Sequence, residues 1–195
     1  MGSLLIAQVT VEGTRPILWH AFGPDSMPVE KREKTGVAGN DPEEWRRSVL
    51  MTPERQLFIK PTYVFGCLRE GARYTSRKRG TLMGPLAGTL QVTDNIIFVD
   101  RFVPEEPLPT DSDCPVYLDI SGTRNPATKG RNVRYRVAAC PGWTLTFNLL
   151  WDKLIVSREE MTKVIEDAGM LTGLGDGRTI GNGRFVVKAL EIENA

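Results

Sequence analysis

The sequence has few of the residues that build metal centres and disulfide frameworks. It contains one histidine and three cysteines in 195 residues, and Cys67, Cys114 and Cys140 lie far apart with no C-x-x-C pair. Structural zinc sites need closely spaced Cys and His ligands, and disulfide frameworks use an even set of cysteines. The sequence therefore predicts no metal site and no cofactor, and we expect reduced thiols that are buried as small hydrophobes.

Long hydrophobic runs are also absent. No apolar segment approaches the ~20 residues that a membrane-spanning helix needs, and the N-terminal residues do not form the basic and then apolar pattern of a secretory signal. We therefore expect a cytoplasmic protein without a membrane partner. Hydrophobic residues make up 41% and charged residues 25% of the chain, which is typical of globular proteins. With ~150 residues per domain as a guide, residues 1–195 are expected to form a single domain.

The net charge is only +1, but the charges are segregated along the chain. One basic stretch carries Arg69, Arg73, Arg77, Lys78 and Arg79 with a single acid, and a second carries Arg124, Lys129, Arg131, Arg134 and Arg136 with none. An acidic stretch from Asp94 to Asp113 separates them. This layout suits a polyanion on one side of the protein, or copies of the protein packed head to tail. Tyr74 and Tyr135 lie among the basic residues, which favours single-stranded nucleic acid.

Hydrophobic periodicity predicts a mixture of strands and helices. Strands are expected at residues 4–11, 56–60, 96–99, 116–121 and 185–192, with helices at 45–50, from Pro61 to about residue 72, and from the capping box at Ser157 to Gly169. Residues 131–139 and 143–151 also alternate, and they predict a hairpin across Pro141 and Gly142. Residues 23–40 have no period and are expected to form a mobile loop.

A glycine-rich segment separates the last predicted helix from the last predicted strand. We call residues 173–183 the glycine loop; five of its eleven residues are glycine. Such a density requires backbone conformations or close approaches that a side chain would block. The loop has neither the Gly-Lys-Ser/Thr ending of a phosphate-binding P-loop nor the G-x-G-x-x-G spacing of a dinucleotide site.

The spelling of this loop resembles a known family. Gly173-Leu174-Gly175, five further residues, Gly181-Asn182-Gly183 and then Arg184 are similar to the carboxy-terminal G-loop of the RAMP superfamily of CRISPR-associated proteins. The segment Phe58 to Arg69 resembles the strand-to-helix segment of the same superfamily. The resemblance implies an α+β fold, ferredoxin-like or RRM-like, with a β-hairpin inserted over residues 115–151 as a thumb and a C-terminal glycine-rich loop.

The resemblance also implies a function. It points to a single-stranded RNA-binding subunit, several copies of which line a guide RNA side by side, next to other effector-complex subunits. Main-chain amides freed by the glycines and arginines from two parts of the chain would hold the RNA. The residues expected to contact RNA are Arg69, Arg73, Arg77, Lys78, Arg79, Lys129, Arg131, Arg134, Gly173, Gly175, Arg178, Gly181, Gly183 and Arg184.

Three other functions stay open at this stage. Some RAMP proteins cut RNA, and His20 or, more weakly, Asp25 could serve an RNA-processing endoribonuclease. The setting Trp19-His20-Ala21-Phe22 is apolar, however, which favours a structural histidine, and no catalytic residue is predicted. A phage or mobile-element protein that binds single-stranded DNA with the same fold is the next alternative. An enzyme acting on a small molecule is the remaining one, because a fold alone does not determine function.

Overall fold

The computed structural model describes residues 2–21, 41–77, 80–124 and 131–195. Its strands are β1 Leu4–Gly13, β2 Ile17–Leu18, β3 Gln56–Ile59, β4 Gln91–Val92, β5 Ile97–Phe102, β6 Val116–Arg124, β7 Arg131–Ala139, β8 Thr144–Asp152 and β9 Phe185–Asn194. Its helices are α1 Glu44–Ser48, α2 Pro61–Gly71, α3 Met83–Thr89 and α4 Arg158–Leu171, followed by a 3-10 turn at Arg178–Ile180. The predicted loop over 23–40, with Asp25, lies outside the described residues, as do Lys78, Arg79 and Lys129.

The main sheet has the strand order β3-β5-β8-β1-β9, and β4 also pairs with β8. The paired strands are antiparallel. β1 lies between β8 and β9, and its side chains at Leu5, Ala7, Val9 and Val11 alternate into the core, where each is at most 3% exposed. The succession β1, α2, β5, β8, α4, β9 with the order β9-β1-β8-β5 is the ferredoxin-like arrangement. The predicted α+β class is confirmed, and the antiparallel sheet is consistent with an RRM-like fold.

Helices α2 and α4 bury apolar faces in this core. α2 begins at Pro61 and buries Val64 and Leu68, and α4 begins at a complete capping box. There the Ser157 Oγ accepts from the Glu160 amide at 3.2 Å, and the Glu160 carboxylate accepts from the Ser157 amide at 2.9 Å. The Cys67 Sγ lies between the helices, 3.8 Å from the carbonyl oxygen of Ala168. Cys67 is buried, as predicted, and burial raises its pKa to about 12, whereas Cys114 and Cys140 are only partly buried, against the prediction.

The opposite face of the main sheet is exposed, and we call it the open sheet face. The side chains of Leu4, Ile6 and Phe98 are 42%, 41% and 48% exposed there. Glu191 and Glu193 of β9 pair in register with Gln8 and Ile6 of β1 and lie on the same face. This face therefore combines apolar side chains with negative charge. None of the helices in the described ranges is long and apolar enough to cross a membrane.

A second sheet has the order β2-β7-β6. β6 and β7 form an antiparallel hairpin from Val116↔Ala139 to Arg124↔Arg131. The prediction that residues 131–139 pair with 143–151 is wrong, because β8 pairs along its length with β1 instead. The hairpin is therefore shorter than residues 115–151, and residues 144–151 of that range belong to the main sheet. Trp143 is fully buried against Gly13, and a Cβ on Gly13 would lie 2.0 Å from the indole ring. This contact lies where the chain passes from β7 in the second sheet to β8 in the main sheet.

Candidate nucleic-acid interface

Two adjoining cavities, of about 250 Å³ and 510 Å³, lie beside the glycine loop. Both are lined by His20, Gly175, Asp176 and Arg178, and we call them together the loop cleft. One wall is the first part of α2, with Thr62, Tyr63 and Gly66; the other is the hairpin, with Ser121, Gly122, Arg134 and Arg136; the floor is the glycine loop up to Ile180. The fold thus brings together the α2 segment, the hairpin and the glycine loop, which are far apart in sequence.

The glycine loop is braced by the protein's own backbone. Gly175 and Gly183 have φ of +76° and +70°, and a Cβ on them would lie 2.6 Å from the Leu18 carbonyl oxygen and 1.7 Å from that of Leu174. The Leu174 amide donates to Gly183 O at 2.9 Å, and the Gly183 amide donates to Pro16 O at 2.7 Å. The amides of Gly173, Asp176, Ile180, Gly181 and Asn182 also donate to protein carbonyls.

The sequence predicts that the glycines free main-chain amides to hold RNA, and the bracing gives these glycines a different role. The close approaches at Gly173, Gly175 and Gly183 are made to the protein itself, and the amides of Gly173 and Gly183 have internal acceptors. These amides are therefore not available to a ligand in this arrangement. Gly181 differs, because its φ is +94° but no atom lies within 4 Å of the position of a Cβ. The loop's contribution to the cleft is a floor that is held by hydrogen bonds to the protein's own carbonyl groups.

A buried arginine ties this floor to the hairpin. Arg136 is 4% exposed; its Nη1 donates to Asp176 Oδ2 at 2.7 Å, and its Nη2 donates to Asp119 Oδ2 at 2.9 Å and Ser121 Oγ at 2.6 Å. Burial alone would raise the pKa of Asp176, but the hydrogen bonds from Arg136 and from the Gly177 amide outweigh it and hold that pKa below its ordinary value. Asp176 is thus a fixed anion, and Arg136 is occupied within the protein.

Arg178 lines the cleft and Arg69 follows the cleft wall on α2, and both are available to a ligand. Arg178 is exposed on the floor. Arg69 is exposed on α2 and lies seven residues after Thr62 and three after Gly66, so it shares the helix face that lines the cleft. In the part of the chain that the structure describes, neither guanidinium has a carboxylate partner. Both can therefore meet phosphates without first breaking an ion pair.

Other predicted arginines are engaged by carboxylates. Arg73 lies 3.3 Å from Glu70, Arg77 lies 3.3 Å from Glu160, and Arg134 on the hairpin wall pairs with Glu44 of α1. Glu160 lies in the first turn of α4, and the glycine loop follows the last turn of that 14-residue helix. Because Arg77 contacts Glu160, it lies about 20 Å from the loop. Arg184 lies on the far side of the loop, and the Arg131 side chain lies outside the described part of the chain.

The sequence reasoning missed the aromatic residue of the cleft, Tyr63. It is half-buried in the first turn of α2, and burial together with the charge of Asp176 raises its pKa. A phenol ring beside Arg178 suits a stacked base next to a phosphate contact. Tyr63 lies within the Phe58 to Arg69 segment, which carries a sequence signal, whereas Tyr74 and Tyr135 are the aromatics inside the basic stretches. Tyr74 is 51% exposed, and Tyr135 packs against the core.

The open sheet face is the rival surface, because RRM domains stack bases on sheet aromatics. Phe98 and Phe102 are 48% and 56% exposed on β5. Asp100 lies between them, and Glu191 and Glu193 lie on the same face. These carboxylates repel phosphates, so the loop cleft is the stronger candidate. Among the described residues no group of three metal-ligating side chains is found.

No family model and no curated protein match the chain. Among solved structures, the chain is similar to one in the cryo-EM structure of the Type III-B Cmr-beta bound to cognate target RNA, with a TM-score of 0.50 and 14% sequence identity. The match covers 98% of this chain and 61% of that chain, so this protein spans less than two thirds of the neighbour's length. At this identity the likeness shows the fold alone.

Proposed function

We propose that the protein binds single-stranded RNA without cleaving it, as one of several adjacent copies that line a guide RNA in a CRISPR-type ribonucleoprotein. The observation that carries the proposal is the loop cleft, where the α2 segment, the glycine loop and the β6–β7 hairpin meet. Two of these elements carry the resemblance to the RAMP superfamily. The fold likeness to a chain of the RNA-bound Cmr-beta structure supports the same reading.

In this proposal the strand lies across the floor of the cleft. Arg178 and Arg69 bind phosphates, and Tyr63 offers its ring to a base. Positive side chains that follow the backbone, together with a stacking surface, bind single strands with little sequence preference. Arg73, Arg77, Lys78 and Arg79 would extend the contacts along the outer end of α2 and the residues that follow it in sequence, while Lys129 and Arg131 would add contacts from the sequence between β6 and β7 and the start of β7.

The arrangement of copies is the one that the RAMP resemblance implies. The hairpin would reach over the neighbouring copy as a thumb, and the acidic open sheet face would remain free for protein contacts. Its exposed Phe98 and Phe102 suit an interface between subunits better than a phosphate backbone, because they stand among carboxylates.

The test is the salt dependence of binding to a labelled RNA of ~12 nucleotides. The variant R69A/R178A removes the guanidinium on the cleft floor and the one on the neighbouring face of α2. We expect weaker binding and a slope of log K against log salt that is smaller by about 0.7 for each lost phosphate contact. The matched control is K188A, which removes a charge that pairs with Glu12 at 3.1 Å on the open sheet face. Equal affinity and slope in R69A/R178A and K188A would refute the proposal.

The nucleic acid itself is identified by sequencing what co-purifies with the protein. Guide-like RNA supports the proposal. Single-stranded DNA, or equal competition by a DNA of the same sequence, would favour the phage or mobile-element alternative, because only the 2′-hydroxyl distinguishes the two strands at a given site.

Catalysis by His20 is the second candidate, since the structure places this residue in both cavities of the loop cleft. A histidine beside a bound strand could act on a ribose hydroxyl as a general acid or base. Incubating hairpin RNA with the wild type and with H20A separates the two functions. Cleavage that is lost in H20A would establish an endoribonuclease, whereas intact RNA in both samples is the result expected of a binding subunit.

A further inference from the structure

A separate cavity of about 610 Å³ lies behind the glycine loop, between the end of α4 and the start of β9. We call it the rear cavity; Thr14, Arg15, Gly181, Arg184, Met170 and Val186 are among its lining residues. Its volume lies within the range of sites that hold small organic ligands. The rear cavity shares no lining residue with the loop cleft.

Two arginines are placed against this cavity by adjacent backbones. The amides of Thr14 and Arg15 both donate to the carbonyl oxygen of Arg184, at 2.8 Å and 3.3 Å. Both residues line the cavity, and within the described ranges neither guanidinium has an ion pair. Two arginines without carboxylate partners on the wall of one cavity favour an anion with several acceptor oxygens. A phosphate group is such an anion.

The other wall of the rear cavity is apolar. Met170 is 68% and Val186 47% exposed there, beside the buried ring of Phe185. Exposed apolar side chains next to two arginines suit a flat heterocycle attached to a phosphate. The carboxylate of Glu166, which also lines the cavity, can accept from the amino group of a base and disfavours a bare phosphate dianion. The combined chemistry is that of a nucleotide.

We propose that the rear cavity binds a nucleotide of the same RNA strand that crosses the loop cleft, with its phosphate on Arg15 and Arg184 and its base against Met170 and Val186. This rests on the proposed function. Ile180 lines the loop cleft and Gly181 lines the rear cavity, so the two sites meet where consecutive Cα atoms are only ~3.8 Å apart. Gly181 has open space where a side chain would stand, which leaves room for the strand to pass over the loop.

The experiment compares R15A with the wild type in the RNA binding assay. Arg15 is exposed, so its truncation leaves the fold intact. We expect about fivefold weaker binding, which corresponds to about 1 kcal/mol of lost charge-assisted hydrogen bonding, and a salt slope smaller by about 0.7. M170S should also weaken binding but leave the slope unchanged, because it removes apolar contact and no charge. K188A, on the same strand as Val186 but paired with Glu12, should match the wild type.

The outcomes separate this inference from the proposed function. If R69A/R178A weakens binding while R15A behaves like K188A, the rear cavity is not on the strand path and the inference fails, although the proposed function stands. If none of these variants weakens binding, both fail. Adenosine monophosphate is the second probe, measured by calorimetry. Tight binding that is lost in R15A, with RNA affinity unchanged, would make the cavity a site for a free nucleotide and would overturn the inference.

Discussion

The substitution G183A tests whether the glycine loop is a braced part of the fold. Gly183 has a φ of +70°, and a methyl group on it would lie 1.7 Å from the carbonyl oxygen of Leu174. The left-handed conformation costs a residue with a Cβ about 1–2 kcal/mol, and forcing the neighbouring backbone aside costs about 1–3 kcal/mol. We therefore expect G183A to lower the free energy of unfolding by about 2–5 kcal/mol.

The matched control is G181A in the same loop. Gly181 also has a left-handed φ, +94°, but nothing lies within 4 Å of the position of its Cβ. Only the conformational cost remains, about 1–2 kcal/mol. The two variants thus share the type of substitution and the type of backbone conformation, and they differ in the close approach.

Thermal unfolding followed by circular dichroism measures the difference. In a chain of this size 1 kcal/mol shifts Tm by about 2–4 °C, so we expect a fall on the order of 10 °C for G183A and about 4 °C for G181A. Equal shifts for the two variants would refute the bracing of the loop by Leu174, and the glycines would then need another explanation.

Two further predictions concern the carboxylates around the loop cleft. E44Q should release Arg134 from its ion pair, so RNA affinity should rise up to about fivefold and the salt slope should steepen by about 0.7; an unchanged affinity would show that Arg134 takes no part. The pKa of Asp176 is depressed below 3.8 in the fold, so its carboxylate stabilises the protein above that pH and loses its effect as the pH falls through the folded-state pKa. The difference in unfolding free energy between the wild type and D176N should be constant above about pH 5 and shrink on acidification, and a difference that grew would contradict this.

Much of the fold could be predicted from local patterns. Alternation located β1 and β9, Pro61 marked the start of α2, and the capping box at Ser157 marked the start of α4. The pairing of β7 could not be predicted in the same way, because alternation identifies a strand without identifying its partner. α3 was missed because Gly84, Pro85 and Gly88 are poor helix formers, and the helix forms by burying Leu86.

The candidate site was predictable in part for a similar reason. The motifs of the glycine loop and of the α2 segment each consist of residues that are close in sequence, and both segments line the loop cleft. The ion pairs of Arg134 and Arg136 are not local: their partners Glu44, Asp119 and Asp176 come from other elements. In the folded protein, these carboxylates therefore neutralise part of the charge of the second basic stretch. Arg15 carries no sequence signal at all, because it becomes notable only beside Arg184.

The central claim is that RNA lies over the glycine loop and not on the open sheet face. The most direct measurement is ultraviolet cross-linking of RNA that contains 4-thiouridine, followed by mapping of the linked peptides by mass spectrometry. We expect cross-links at Tyr63 and in the segment from Gly175 to Gly181. Cross-links confined to Phe98 and Phe102 of the open sheet face would contradict the account.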